Sequence, residues 1–205
     1  MPQFLAVQTP HRRGCVETGI PRSLTMRSER EVKMGEEAPR QSVLRDGLVR
    51  LRPFEGQADV TRAVPWYSDP EVLYFSEGPH ETAFDRERVA RMYDHLAALG
   101  ELYMTEVETP SGWRVIGDAT LAPETVPIVI GEKEWRHRGV GSRVLGLLVE
   151  RARELGYSFV GVRHVWRYNV ASQRLFERAG FRLVESGTDA QGREFLRYSL
   201  TLSPK

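Results

Sequence analysis

The stretch Arg136-His137-Arg138-Gly139-Val140-Gly141-Ser142 sets two glycines between a short apolar run at 126–130 and a long amphipathic segment at 140–155. Strand, glycine turn and helix start, in that order, make an anion site from main chain alone. The first N–H groups of a helix lack intrahelical partners, and the dipole puts positive potential where they point. Without a Cβ, Gly139 and Gly141 let a pyrophosphate approach the backbone closely. A tight turn whose glycines serve packing only is the competing reading. Other glycine loops fit less well. A dinucleotide reader wants three glycines spaced G-x-G-x-x-G at the head of a βαβ unit, and the third is missing here. A Walker A loop needs Gly-Lys-Ser/Thr after the turn, which is also missing.

The elements that must hold this turn read outward from it. Val140, Val144, Leu148, Ala152 and Leu155 fall on one helical stripe, with Gly156 just past its end. Upstream, 102–108 and 114–121 are strand candidates joined by the turn Thr109-Pro110-Ser111-Gly112. Downstream, 158–162 is a further strand. Asn169 then caps a helix with Ala171, Leu175, Phe176 and Ala179 on its apolar side, ended by Gly180. Strands at 181–185 and 194–200 close the chain. Toward the N-terminus, 48–52 is β-like, and 59–64 is a short helix stopped by Pro65. Asp69-Pro70 reads as N-cap and first helical residue. Asp85 caps a clearer helix with Val89, Met92, Tyr93, Leu96 and Leu99 facing inward, closed by Gly100. The expected class is α/β with a mixed sheet, antiparallel early and late.

Composition narrows the function classes. Hydrophobic content of 40% and charged content of 28% are those of a soluble protein, and no apolar run has the length of a membrane span. A cytoplasmic location without membrane contact is expected. Cys15 is the only cysteine, so an intramolecular disulfide is excluded. Through Arg45 there are eight basic and five acidic residues, leaving 21 against 23 for the remainder. That mildly acidic body does not recommend a nucleic-acid partner. Prolines and glycines break residues 1–45, which are expected to form a disordered extension, with 46–205 as one domain. The arginine-rich stretch before Met26 faintly resembles a transit peptide; an extended start upstream of Met26 or Met34 is the favoured reading. The histidines show no metal-ligand spacing, and no metal is expected.

Two spacings taken together carry a resemblance. Arg136-x-x-Gly139-x-Gly141 is followed by Asn169-x-x-Ser172-x-x-Leu175-Phe176-Glu177-x-x-Gly180-Phe181. In strand-turn-helix-strand-helix-strand order these resemble the GNAT superfamily of acetyl-CoA-dependent N-acetyltransferases, and Ile116-Gly117 in the preceding strand is similar too. The likeness implies about seven strands and four helices, with two central parallel strands splayed to admit the cofactor. It implies that Val129, Ile130 and Gly131 offer main-chain partners to the pantetheine arm. The amides of Arg136, His137, Arg138, Gly139, Val140, Gly141 and Ser142 would hold the pyrophosphate, with the Arg136 and Arg138 charges adding to them. Asn169 and Ser172 would contact the arm, and Phe176 would pack near the thioester.

The implied chemistry then needs a proton acceptor, because an alkylammonium with a pKa of about 10 cannot attack a carbonyl. Glu132, acting through water, is the first candidate, with Glu134 and Asp118 in reserve. A backbone N–H near Ile130 would face the oxyanion. Many relatives carry tyrosine where this chain has Phe176, which cannot donate a proton; Tyr168 is the substitute acid, although a thiol with a pKa near 8.5 can leave as thiolate unaided. Trp66, Tyr67, Tyr74 and Glu77 lie in a segment where aromatics alternate with carboxylates, which suits a cationic amine. A half-buried helix pair with solvated acids is the alternative. Trp66-Tyr67-Ser68-Asp69-Pro70 is loosely similar to branches that acetylate ribosomal-protein N-termini or the 6′ amine of aminoglycosides. The expected acceptor is a small polyamine or aminoglycoside-like amine, with a protein N-terminus or lysine second. A non-catalytic acyl-CoA sensor or interaction module is the reading from another class. A monomer or homodimer is expected.

Overall fold

The computed structural model describes residues 41–203. The expected disorder of 1–45 therefore falls outside the described residues except at 41–45. There the chain is already in use: Gln41 Nε2 donates to Leu102 O at 2.7 Å. A strand β1 (Leu44–Asp46) pairs with β2 (Val49–Pro53) across a turn at Gly47. Three residues are too few for alternation to announce a strand, which is why the sequence boundary falls late.

The remaining elements follow the expected order. Helix α1 (Gln57–Ala63) leads into a 3-10 turn at Trp66–Ser68, then α2 (Pro70–Ser76) and α3 (Arg86–Leu99). A hairpin of β3 (Glu101–Thr109) and β4 (Gly112–Leu121) precedes β5 (Ile128–Ile130). A second 3-10 turn, Lys133–Trp135, opens toward α4 (Val140–Glu154). β6 (Phe159–Trp166), α5 (Val170–Arg178), β7 (Arg182–Thr188) and β8 (Glu194–Thr201) complete the chain. The three carboxylate or amide caps expected from sequence all form. Asp69 accepts from Glu71 N at 2.9 Å, Asp85 from Arg88 N at 2.7 Å and Asn169 from Ser172 N at 3.0 Å.

The strands form two sheets, ordered β1-β2-β3-β4-β5 and β6-β8-β7, and every ladder within them is antiparallel. No ladder joins β5 to β6 among the described residues. One main-chain bond, Gly161 N to Pro123 O at 2.7 Å, links the sheets near the start of β6. Helix α4 makes the connection between the two strands. Its stripe Val140, Val144, Leu148 and Ala152 is buried in the main core with Leu51, Ile116, Leu121, Val160 and Leu196. The expected apolar face of α5 is narrower than its pattern suggests. Phe176 is buried and Leu175 partly so, while Ala171 and Ala179 face solvent.

Candidate active site

The loop at the head of α4 is open on its main-chain side. His137 and Gly139 both lie in the left-handed region, at φ 60 and 78. Such left-handed turns point successive N–H groups into one concavity. Gly139 is the helix N-cap and has no side-chain cap, and Arg143 N bonds back to Gly139 O at 3.2 Å. Among the described residues nothing bonds the amides of His137, Arg138, Gly139, Val140, Gly141 or Ser142. Among the described residues, a Cβ on Gly139 would meet no non-neighbouring atom within 4 Å. These are the donors that the dipole of a 15-residue helix makes attractive to an anion. Arg138 is exposed at the rim, its guanidinium 5.4 Å from the Trp135 ring centre.

Arg136 departs from its expected role in this arrangement. Its amide donates to Lys133 O at 3.2 Å, inside the 3-10 turn, and so is not available to a phosphate. Its side chain turns away from the loop. Nε donates to Ile130 O at 2.9 Å and Nη2 to Gly131 O at 2.6 Å, while Nη2 and Nη1 reach Asp69 at 3.1 Å and Glu71 at 2.9 Å. The carbonyls of Ile130 and Gly131, in the stretch expected to offer main-chain partners to an incoming arm, thus each already accept one bond from this guanidinium. Val129 is buried, paired with Asp118 across the β4–β5 ladder.

Gly131, just past β5, lies against the 66–77 segment. A Cβ there would fall 2.1 Å from the Trp66 ring, so only glycine admits the indole. Trp66 Nε1 donates to Glu132 Oε1 at 2.9 Å, and Arg114 Nη2 holds the other oxygen at 2.9 Å. Arg114 also pairs with Glu134 at 2.9 Å. Glu132 keeps 28% of its side chain exposed, which leaves an edge open to water.

The far end of α2 is fastened to the second sheet. Four consecutive carbonyls each receive a side-chain donor. Tyr168 Oη donates to Tyr74 O at 2.6 Å, Asn169 Nδ2 to Phe75 O at 3.2 Å, Trp166 Nε1 to Ser76 O at 3.3 Å and Arg193 Nη1 to Glu77 O at 3.2 Å. These are carbonyls a helix leaves unpaired at its C-terminus. Asn169 therefore spends its oxygen on the α5 cap and its amide on α2. Ser172 is partly buried just inside that cap. Tyr168 packs against Tyr74 with ring centres 4.5 Å apart and planes tilted by 33°. Burial, with Tyr74 adding to it, pushes its phenol up to about 12. A phenol so raised is a poor proton donor to a thiolate. Phe176 lies in the core, its ring against Phe181 and Tyr198.

Two residues of the aromatic segment separate sharply. Tyr74 is exposed, while Tyr67 is fully buried. Tyr67 stacks on Phe84 and donates to Asp118 at 3.1 Å, as Tyr93 does from α3 at 2.8 Å. Tyr67 thus serves as an inner wall, not a surface contact for an acceptor, and Asp118 lies beneath two phenols, out of reach as a solvent-facing base. Burial raises the Asp118 carboxyl to about 7; the Tyr93 and Tyr67 hydrogen bonds oppose this and the charge of Glu77 adds to it. Glu77 is itself held above the usual carboxylate range by burial and by Glu81, with Arg88 offsetting part of the effect. Sequence reading missed Tyr93, Arg114, Trp166 and Arg193 as site-building residues. Their partners lie 18 to 116 positions away, and no local signal marks them.

Among the described residues no helix is long and apolar enough to cross a membrane, and no cluster of His, Cys, Asp or Glu could hold a metal ion. An acetyltransferase (GNAT) domain family matches residues 49–182. No curated protein matches the chain in sequence. Solved structures are similar in fold. A domain from Methanocaldococcus jannaschii DSM 2661 superposes with a TM-score of 0.64 at 18% identity, over 77% of this chain and 100% of its own. The aminoglycoside acetyltransferase AAC(6')-Ib in complex with coenzyme A gives 0.62 at 16% identity, over 75% and 94%. RimL, a ribosomal L7/L12 alpha-N-protein acetyltransferase in complex with coenzyme A, gives 0.64 at 13% identity, over 78% and 98%.

Proposed function

The chain belongs to the GNAT acetyltransferase family, and from that premise we propose that it moves an acetyl group from acetyl-CoA directly to a primary amine of a small cationic molecule, polyamine-like or aminoglycoside-like. The observation that carries the reading is the row of amides from His137 to Ser142 without partners among the described residues, with left-handed turns at His137 and Gly139, at the head of α4. That cradle fits a diphosphate: donors are present, a Cβ on Gly139 would meet no non-neighbouring atom among the described residues within 4 Å, and the exposed Arg138 stands at the rim. Acetyl-CoA, when bound, supplies an activated thioester carbonyl. The protein's own part is to orient it, shed water and remove a proton from the amine.

Glu132 takes that proton through water in this reading. Its carboxylate is fixed by Trp66 and Arg114 yet keeps an edge open to solvent. Tyr168 holds α2 through Tyr74 O, and the thiolate leaves without a side-chain acid. The acceptor approaches beside the exposed ring of Tyr74, with Glu77 just past the end of α2 drawing positive charge. The named activities of AAC(6')-Ib and RimL lend weight to amine acceptors of both kinds, and the carboxylates of this segment favour the small cation over a protein N-terminus. Calorimetry with coenzyme A and acetyl-CoA tests the cradle, and free-thiol release across polyamines, aminoglycosides and N-terminal peptides tests the transfer. Micromolar heat of binding and turnover on the polyamines or aminoglycosides are expected. Binding without turnover on any amine would instead make the chain an acyl-CoA sensor.

A further inference from the structure

Arg136 sits at the root of the cofactor loop, yet its side chain turns to the end of β5 and the start of α2. A guanidinium offers five donors in a rigid planar fork. Here one edge of that fork faces the Ile130 and Gly131 carbonyls at the end of β5. The other reaches Asp69 and Glu71 at the start of α2. With 15% of its side chain exposed, it is far less open than Arg143 at 52%. A phosphate competing for this arginine would have to displace two carboxylates from charge-assisted bonds.

Its neighbour in sequence is His137, the first left-handed residue of the loop. Any fixing of the loop therefore acts on the backbone from which this fork extends. Asp69 is bound twice over, by Arg136 on Oδ2 and by the Glu71 amide on Oδ1, so the fork grips the cap of α2 itself. Lys133 reinforces the same contact, 3.5 Å from Glu71.

We infer that Arg136 is a positioning residue that couples occupancy of the 137–142 loop to the acceptor helix α2, and not a ligand of the phosphates. The inference rests on the functional reading above, because it needs coenzyme A on the loop. Seating a diphosphate there orders the loop, and the guanidinium carries that ordering into residues 69–76. Removing the charge while keeping an amide donor, as Arg136→Gln does, leaves a carbonyl contact and severs the acid contacts. Arg136→Lys keeps the charge but loses the fork. Glu71→Gln severs one acid contact from the other side, at a surface position.

Hydrogen exchange read by mass spectrometry on the full chain, with and without coenzyme A, tests this. In the parent protein, coenzyme A slows exchange in 137–145 and also in 69–76. In Arg136→Gln and Glu71→Gln, calorimetry finds coenzyme A affinity within about threefold of the parent. Protection of 137–145 persists in both variants, while that of 69–76 falls at least severalfold. Arg136→Lys restores part of it. A tenfold or greater loss of coenzyme A affinity in Arg136→Gln would mean that the arginine binds phosphate, and the inference fails. It fails equally if 69–76 is protected in both variants as in the parent, or is never protected although the parent binds. Should Arg136→Gln not fold, Glu71→Gln carries the same comparison. A parent protein that does not bind coenzyme A overturns the functional reading, and the coupling with it.

Discussion

The loop at 137–142 and the segment at 66–77 are opposites in construction. In the loop, six amides in a row have no partner among the described residues, and the side chains stand aside. In the segment, both ends are bound. Trp66, Asp69 and Glu71 attach it to Glu132 and Arg136 in the turn after β5, and the carbonyls of Tyr74, Phe75, Ser76 and Glu77 attach it to the end of β6, the residues leading into α5 and the turn before β8. The first region is local, built from consecutive residues whose backbone angles are set by glycine and one strained histidine. The second is non-local, built from side chains that meet only once the chain has folded. An anion cradle needs only main chain and so tolerates many sequences around it. A segment bound at both ends depends on particular side chains and their distant partners.

Substituting the cradle gives the largest expected effect. Gly139→Glu adds bulk at a left-handed position and a negative charge where phosphate would lie. Coenzyme A affinity should fall at least 100-fold, about 2.7 kcal/mol, by calorimetry; an unchanged affinity would break the contrast at its stronger side. Asp118→Asn probes the interior behind the segment. The folded carboxyl titrates near 7, above an ordinary carboxyl near 4, so the native state holds its proton more tightly than the unfolded chain does. Its contribution to stability is full at acid pH and is lost as pH rises through about 7. The asparagine variant should lack that decline. Above pH 7 it should be the more stable protein, by an amount on the order of 2 kcal/mol, read from urea midpoints between pH 5 and 8. Parallel curves for the two proteins would show that Asp118 is ionised without penalty.

Asn169→Ala removes both the α5 cap and the bond to Phe75 O. A loss of about 1–2 kcal/mol is expected from the cap and tether together. Faster hydrogen exchange at the C-terminal end of α2 would distinguish the tether from the cap alone. Deleting residues 1–40 should do least, leaving the melting temperature and coenzyme A affinity unchanged. A fall of several degrees would show that the domain begins earlier than proposed.

The same contrast explains what could be read before folding. The caps at Asp69, Asp85 and Asn169, the stripe of α4 and the glycine turn are decided within a few residues, and each was legible from type and spacing. Tyr67 and Tyr74 were not separable. Both are aromatics beside acids, yet one points inward to an aspartate 51 positions away while the other faces solvent. Arg136 was legible as a member of the glycine motif, but its partner Asp69 lies 67 positions upstream, so the direction of its side chain was not. Strand β7 was found by its apolar residues, although Leu183 and Val184 lie exposed on an edge strand.

The double attachment of α2 has a mechanical consequence. A seven-residue helix is a stiff rod of roughly 10 Å, anchored to one sheet at its head and to the other at its tail. It acts as a ruler that sets how far the sheets stand apart at that end. Single replacements along its outer face leave the ruler intact. Inserting or removing one residue changes its length and rotates every later carbonyl away from its donor, so variation here should proceed by exchange of side chains and not by indels.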